Sequence, residues 1–135
     1  MSNEIVNAPE LGEPVGYAHA VVASGGRTVY LGGQTALAPD GSIVGSTIVE
    51  QFDVAAGNIV TALAAADGQP EHLVSLQVFV TDVAAYRGSL RELGAVWRKH
   101  FGRRYPAMAL LGVSGLFDDA ALVELVGVAV VPDDA

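Results

Sequence analysis

The sequence contains no cysteine, so disulfides, thiolate nucleophiles and cysteine-ligated zinc are excluded together. It is poor in positive charge: seven Lys and Arg against fifteen Asp and Glu leave a net charge of −8. Affinity for nucleic acid comes mostly from neutralising phosphates, so general nucleic-acid binding is not expected. Long apolar runs are also missing. The richest, LVELVGVAVV at residues 122–131, is ten long and carries a carboxylate, well short of the roughly 18 residues a membrane span requires. The N-terminal MSNEIVNAPELGEP has no basic segment leading into an apolar core, so no secretory signal and no membrane partner are expected, and the reading is cytoplasmic. The three histidines, at 19, 72 and 100, lack metal-ligand spacing, which gives no expectation of a metal or other cofactor.

What the chain does contain is apolar mass. Of 135 residues, 51% are apolar and 16% charged, enough for one domain with a core of its own. No repeat, linker or low-complexity block divides it, so residues 1–135 read as a single domain, with 1–13 as an irregular N-terminal arm. Four of the seven basic side chains fall in RKHFGRR at 98–104. Arg98, Lys99 and His100 suit the end of a helix, where cations complement the macrodipole. The alternative is a small anion site.

The elements read in order. VGYAHAVVAS at 15–24 is a strand, Gly25-Gly26 the turn of a hairpin, and TVYLGGQT at 28–35 its partner. The paired glycines inside that partner mark a bulge or a close backbone approach. Thr47 and Glu50 form a capping box for a helix whose stripe is Val49, Phe52, Ala56, Ile59 and Leu63, ended by Gly68. LVSLQVFVTD at 73–82 is a strand, and Asp82 caps a second helix with the stripe Tyr86, Leu90, Leu93 and Trp97, ended by Gly102. Strands at about 106–114 and 121–131 complete a ββαβαββ order, an α+β domain with both helices on one sheet face. Neither face of the last strand is polar (Leu122, Glu124, Val126, Val128, Val130 against Val123, Leu125, Gly127, Ala129, Val131). Two helices cover one face, so the other is expected to meet another copy of the chain.

These segments together resemble a known family. GYAHAV at 16–21, YLGGQTALAPDGSIVG at 30–45, EQFDVAAGNIVTALAAADG at 50–68, VFVTD at 78–82, YPAM at 105–108 and VELVGVAV at 123–130 are similar to the Rid, or YjgF-like, reactive intermediate deaminases. The resemblance implies a chorismate-mutase-like sheet and a homotrimer with small-molecule clefts between subunits. It also implies hydrolysis of enamines and imines, releasing ammonia and a 2-keto acid. In resembling deaminases an arginine after the Pro-Ala of YPAM grips the substrate carboxylate, through two parallel charge-assisted hydrogen bonds. Met108 stands there and cannot do so. Arg103 and Arg104 lie four or five residues upstream, roughly 13–16 Å along extended chain, beyond reach within one subunit. A neighbouring subunit could still supply one.

Glu124 matches the acidic position that activates water in the resembling deaminases, and it shares a strand face with apolar neighbours whose desolvation would raise its pKa. A structural Glu paired across a subunit interface is the alternative. Tyr17 matches a cleft tyrosine. His19 stands about 6.6 Å from it on the same strand face, where glutamine is common, and is either an acid/base or an interface histidine. Gly32, Gly33 and Gln34 resemble the segment whose backbone meets the ligand, with Gly32 in place of a frequent serine. Leu110 stands where some members have cysteine. The expectation is an imine or enamine hydrolase for substrates lacking the α-carboxylate, with Glu124 as acid/base, Tyr17 orienting, and an apolar wall from Met108 and Leu110. The alternative is a non-catalytic trimer binding a metabolite in the same clefts. The acidic composition argues against a ribonuclease.

Overall fold

A computed structural model describes residues 3–133. Nine regular elements run in the order β1 (Glu4–Val6), β2 (Ala20–Val22), β3 (Arg27–Gln34), α1 (Ile48–Ala65), β4 (Leu73–Val80), α2 (Val83–Arg87), α3 (Leu90–Phe101), β5 (Ala107–Gly112) and β6 (Val123–Val131). Short 3₁₀ turns precede β2 and β4, at Pro9–Leu11 and Pro70–His72. The fold is mixed α+β. β3, β6, β4 and β5 form one sheet in that spatial order, while β1 and β2 form a separate two-stranded ribbon. β4 and β5 are parallel, and the other pairs are antiparallel.

α1 begins as the sequence dictates. Thr47 Oγ1 accepts from the Glu50 N–H at 3.1 Å, and Glu50 Oε1 accepts from the Thr47 and Ser46 N–H groups at 3.3 and 2.9 Å. Its stripe, Ile48, Phe52, Ala55, Ala56, Ile59 and Leu63, is buried against Val123, Leu125, Ala129 and Val131 of β6 and Leu76, Val78 and Val80 of β4. α1 is long and apolar enough to cross a membrane by length and composition alone, and 39% of it is buried inside the fold, along this stripe. The end of α1 departs from expectation. Gly68 is not the left-handed residue. Asp67 is, at φ 63°, with Asp67 N donating to Ala64 O and Gly68 N to Leu63 O, the two bonds of a Schellman motif. Gly68 is required instead for space, since a Cβ there would lie 2.4 Å from Leu63 Cδ1.

The second helix is two helices. Asp82 caps α2, accepting from Ala85 N at 3.0 Å, but the chain turns at Gly88-Ser89 before α3 starts. Tyr86 therefore belongs to a different helix from Leu93, Trp97 and Phe101, and Leu90 is 58% exposed rather than part of a buried stripe. The N-terminal expectations also change. β2 spans only residues 20–22 and pairs with β1, not with β3, so the hairpin read across Gly25-Gly26 is not made. Both glycines do take positive φ, 68° and 78°, and a Cβ on Gly26 would fall 2.3 Å from Val131 O. The arm is not irregular throughout, because Glu4–Val6 is a strand and buried Asn3 ties it down by donating to His72 O and Val130 O at 3.2 Å each.

The basic cluster settles into the bland of its two readings. Arg98, Lys99 and His100 occupy the last turn of α3. Asp53 of α1 accepts from Lys99 Nζ at 3.0 and 3.1 Å and lies 2.6 Å from His100 Nε2. The His100 hydrogen bond, helped by Lys99, holds the Asp53 carboxyl below its ordinary range. A carboxylate depressed in the folded state contributes stability above its unfolded pKa and loses it as pH falls through the folded one. Asp53→Asn is thus expected to cost about 1 kcal/mol or less near neutrality, since solvent screens the pair. The cost should vanish as pH drops below the ordinary carboxylate range, as read by urea denaturation at several pH values.

Candidate functional site

The site residues read from the sequence fall into two groups on opposite faces of the sheet. The first lies where β3 meets β6. Leu31 pairs with Gly127 and Gln34 with Leu125, so β3 carries an extra residue across Gly32-Gly33, a bulge. The bulge brings the Gly33 backbone against Glu124: a Cβ on Gly33 would lie 1.9 Å from Glu124 Oε2 and 2.9 Å from its Cδ. Gln34 folds its side-chain amide back onto Gly32 O at 3.4 Å. Glu124 pairs with Phe79, on the face away from the helices. It is half-buried, and among the described residues its carboxylate has neither an ion-pair nor a hydrogen-bond partner. The desolvation read from its apolar neighbours is therefore only partial in one chain. Gly33→Ala is expected to leave folding stability within about 1 kcal/mol, because Glu124 can swing aside. It should lower any turnover that needs this carboxylate by roughly 10-fold or more. Turnover equal to wild type would detach the pair from function.

The second group lies at the β5 edge. Ala18 bridges Ala107 in parallel and donates from N to Pro106 O at 3.0 Å, which sets Tyr17 beside β5. Met108 and Leu110 pair with Leu76 and Val78, core residues, and so face the helix side. Tyr17, Met108 and Leu110 border a cavity of about 370 Å³ that runs inward to Phe52, Tyr86, Leu90, Leu93, Trp97 and Tyr105. Among the described residues no charged side chain lines it. His19 lies against the Tyr17 ring, centroids 5.8 Å apart, but outside any regular strand. Its Nδ1 accepts from Ala8 N at 2.9 Å, and its own N–H donates to Asn7 Oδ1 at 2.8 Å. That nitrogen is occupied in holding the arm, which leaves Nε2 alone for any proton transfer.

Met108 and Glu124 sit on strands two apart in the sheet, about 9–10 Å laterally, and on opposite faces. One chain does not bring them together. Of the two arginines upstream of Met108, Arg104 donates to Asn3 O, while Arg103 is exposed.

Two positioning features were not read from the sequence. Gln51, 1% exposed, donates to Gly45 O and Ala120 O at 3.1 and 2.9 Å and accepts from Leu122 N at 2.8 Å. It thus fastens α1 to the loop that feeds Glu124. A glutamine on the apolar side of an otherwise periodic helix is the signal that could have found it. Tyr86 and Trp97 were read as core stripe. A tyrosine hydroxyl in such a stripe needs a partner, which points to a cavity.

The sequence profile of the family described as Endoribonuclease L-PSP matches residues 8–131. Protein MMF1, mitochondrial, of Saccharomyces cerevisiae is 26% identical over 107 residues, 79% of this chain and 71% of that protein. Among solved structures, Rv2704 of Mycobacterium tuberculosis, a member of the YjgF/YER057c/UK114 family, is similar at 29% identity. Its TM-score is 0.64, with 96% of this chain and 100% of that chain covered. The Rid-family protein YyfB of Yersinia pestis shares the fold at 24% identity, with a TM-score of 0.88 and 97% and 100% covered.

Proposed function

This chain belongs to the Endoribonuclease L-PSP family, the YjgF/Rid proteins, and from that premise we propose that it hydrolyses an imine, enamine or related tautomerisable molecule lacking an α-carboxylate. The observation that carries the reading is the cavity at Met108. Where the resembling deaminases have a carboxylate-gripping arginine, this chain has a thioether, and among the described residues no cationic side chain lines the space around it. A buried carboxylate without a partner is strongly disfavoured there. The net charge of −8 supports a small molecule rather than RNA.

In the proposed reaction Glu124 takes a proton from water as the water oxygen adds to the C=N carbon, and passes that proton to the nitrogen. It then moves the carbinolamine hydroxyl proton to the nitrogen as the C–N bond breaks, releasing ammonia and the carbonyl. The backbone beside Gly33 and the Tyr17 hydroxyl orient the substrate. Because Glu124 and Tyr17 face opposite ways in one chain, this requires a second copy, and we place the reaction at the clefts of a homotrimer in the cytoplasm. The open sheet face supports assembly: Tyr30 is 80% and Leu111 40% exposed, and Phe117 on the following loop is wholly exposed. The chain exposes 7541 Å² where about 6,700 Å² is typical of a 13.9 kDa monomer. That excess is of the order of one partner's share of a standard interface, about 800 Å². A second reading, a non-catalytic trimer that binds a metabolite, is favoured by one feature: nothing among the described residues orients the Glu124 carboxylate.

Ammonia release separates the readings. Lyase-generated 2-iminopropionate should be hydrolysed no faster than in buffer, whereas a neutral aryl ketimine should be accelerated. Activity on the imino acid equal to that of an arginine-bearing relative would overturn the reading of Met108. Light scattering should give three copies.

A further inference from the structure

The cavity that begins at Tyr17, Met108 and Leu110 does not stop at the β5 edge. It continues between α1, α2 and α3, and its inner half is aromatic. Trp97 and Tyr105 stack on one another, with ring planes 11° apart and centroids at 5.0 Å, and both line the space. Trp97 is fixed in that plane from two sides: Nε1 donates to Arg104 O at 3.2 Å, and Phe101 packs against the ring at 4.3 Å. Two phenols, Tyr86 and Tyr105, also line the space. Burial, then the neighbouring Tyr105 phenol, holds the Tyr86 hydroxyl above its ordinary range, so it remains a donor at neutral pH. Among the described residues neither hydroxyl has a hydrogen-bond partner, whereas Trp97 Nε1 does.

We propose that this inner chamber is a specificity pocket for a flat, neutral aromatic group bearing a hydrogen-bond acceptor such as a carbonyl or imine. The ring packs against this aromatic cluster, and the acceptor meets the Tyr86 and Tyr105 hydroxyls. The whole cavity, outer cleft and chamber together, is about 370 Å³, within the range of small-molecule sites, roughly 300–1,000 Å³. The lack of any charged side chain selects for neutrality. This deepens the proposed function, on which it rests only for the identity of the outer cleft: it names the substrate class that the loss of arginine left open.

The test uses a matched pair, 2-naphthamide and 2-naphthoate, alike in shape and different in charge. Trp97 is the sole tryptophan, so quenching of its fluorescence, confirmed by calorimetry, reports occupancy of this chamber. The amide should bind saturably, and the carboxylate at least about 10-fold more weakly. Replacing both phenols in Tyr86→Phe/Tyr105→Phe should weaken the amide by roughly 5- to 10-fold. Gly94 supplies a plug. It lines the cavity, and a Cβ there meets only Arg98 NH1, at 3.5 Å. Gly94→Leu should keep the fold, raise helix propensity and abolish amide binding. No saturable quenching by the amide, equal or tighter binding of the carboxylate, or unchanged binding in Gly94→Leu would each overturn the proposal. The outcome is separable from the enzyme reading. Amide binding that survives in a turnover-dead Glu124→Gln protein supports the chamber alone, and ketimine turnover without amide binding removes the chamber and leaves the hydrolase.

Discussion

Glutamine in place of Glu124 is expected to cut turnover of a neutral ketimine by about 100-fold or more, the usual worth of a positioned acid/base group. Ligand affinity should stay within about 3-fold, since glutamine keeps the shape and removes only the exchangeable proton chemistry. The fold should tolerate the change. Glu124 is half-buried and, among the described residues, makes no ion pair, so stability should move by no more than about 0.5 kcal/mol. This separation of effects distinguishes an enzyme from a binding protein. A structural glutamate would lower stability, and a carboxylate that holds ligand would raise KM. Glu124→Gln turning over ketimine like wild type would remove it from the chemistry altogether.

Phe52→Ala should produce the largest loss of stability, about 3–5 kcal/mol. Phe52 is 1% exposed, sits on the buried stripe of α1, and meets Tyr86 edge-on at 6.4 Å and 61°. Its ring spans the junction between sheet, α1 and α2, and rigid strand backbones on one side leave little room for collapse, so the void stays open. A domain of this size has about 5–15 kcal/mol in total, so the urea midpoint should fall by roughly a fifth or more. Leu90→Ala is the control. Leu90 borders the same cavity but is 58% exposed, so its loss should be about 0.5 kcal/mol or less. Equal losses for the two would mean that the cavity, not the core, is what Phe52 supports.

Local signals were legible and non-local ones were not. The capping box of α1, its stripe and the Gly32-Gly33 bulge each depend on residues a few positions apart, and each appears where the sequence put it except at the start of the stripe, where Ile48 is buried and Val49 only half-buried. The partner of β2 does not: it lies in the N-terminal arm, about fifteen residues upstream of it, where three residues of pattern are too few to read. The break at Gly88-Ser89 was hidden because Tyr86, Leu90, Leu93 and Trp97 keep a helical spacing across it. Ser89 Oγ, bonded to Ala85 O at 2.9 Å, completes the turn. For the site, residue types were readable but their grouping was not. Which face Glu124 and Met108 occupy follows from strand register, and Arg104 is taken up by Asn3, 101 positions away.

The order β3-β6-β4-β5 leaves two strands with one open side each. A long flat margin of unpaired N–H and C=O groups invites a stray chain to add on as a further strand, the first step towards a fibril. Neither margin here is long or flat. The start of β5 is occupied by Ala18, bonded to Pro106 O, and β3 loses its regular register between Leu31 and Gln34. The single chain can therefore expose Tyr30 and Leu111 on its open face, and Phe117 on a loop, while denying the backbone template on which aggregates grow. Sticky surface and growth-competent edge are kept apart.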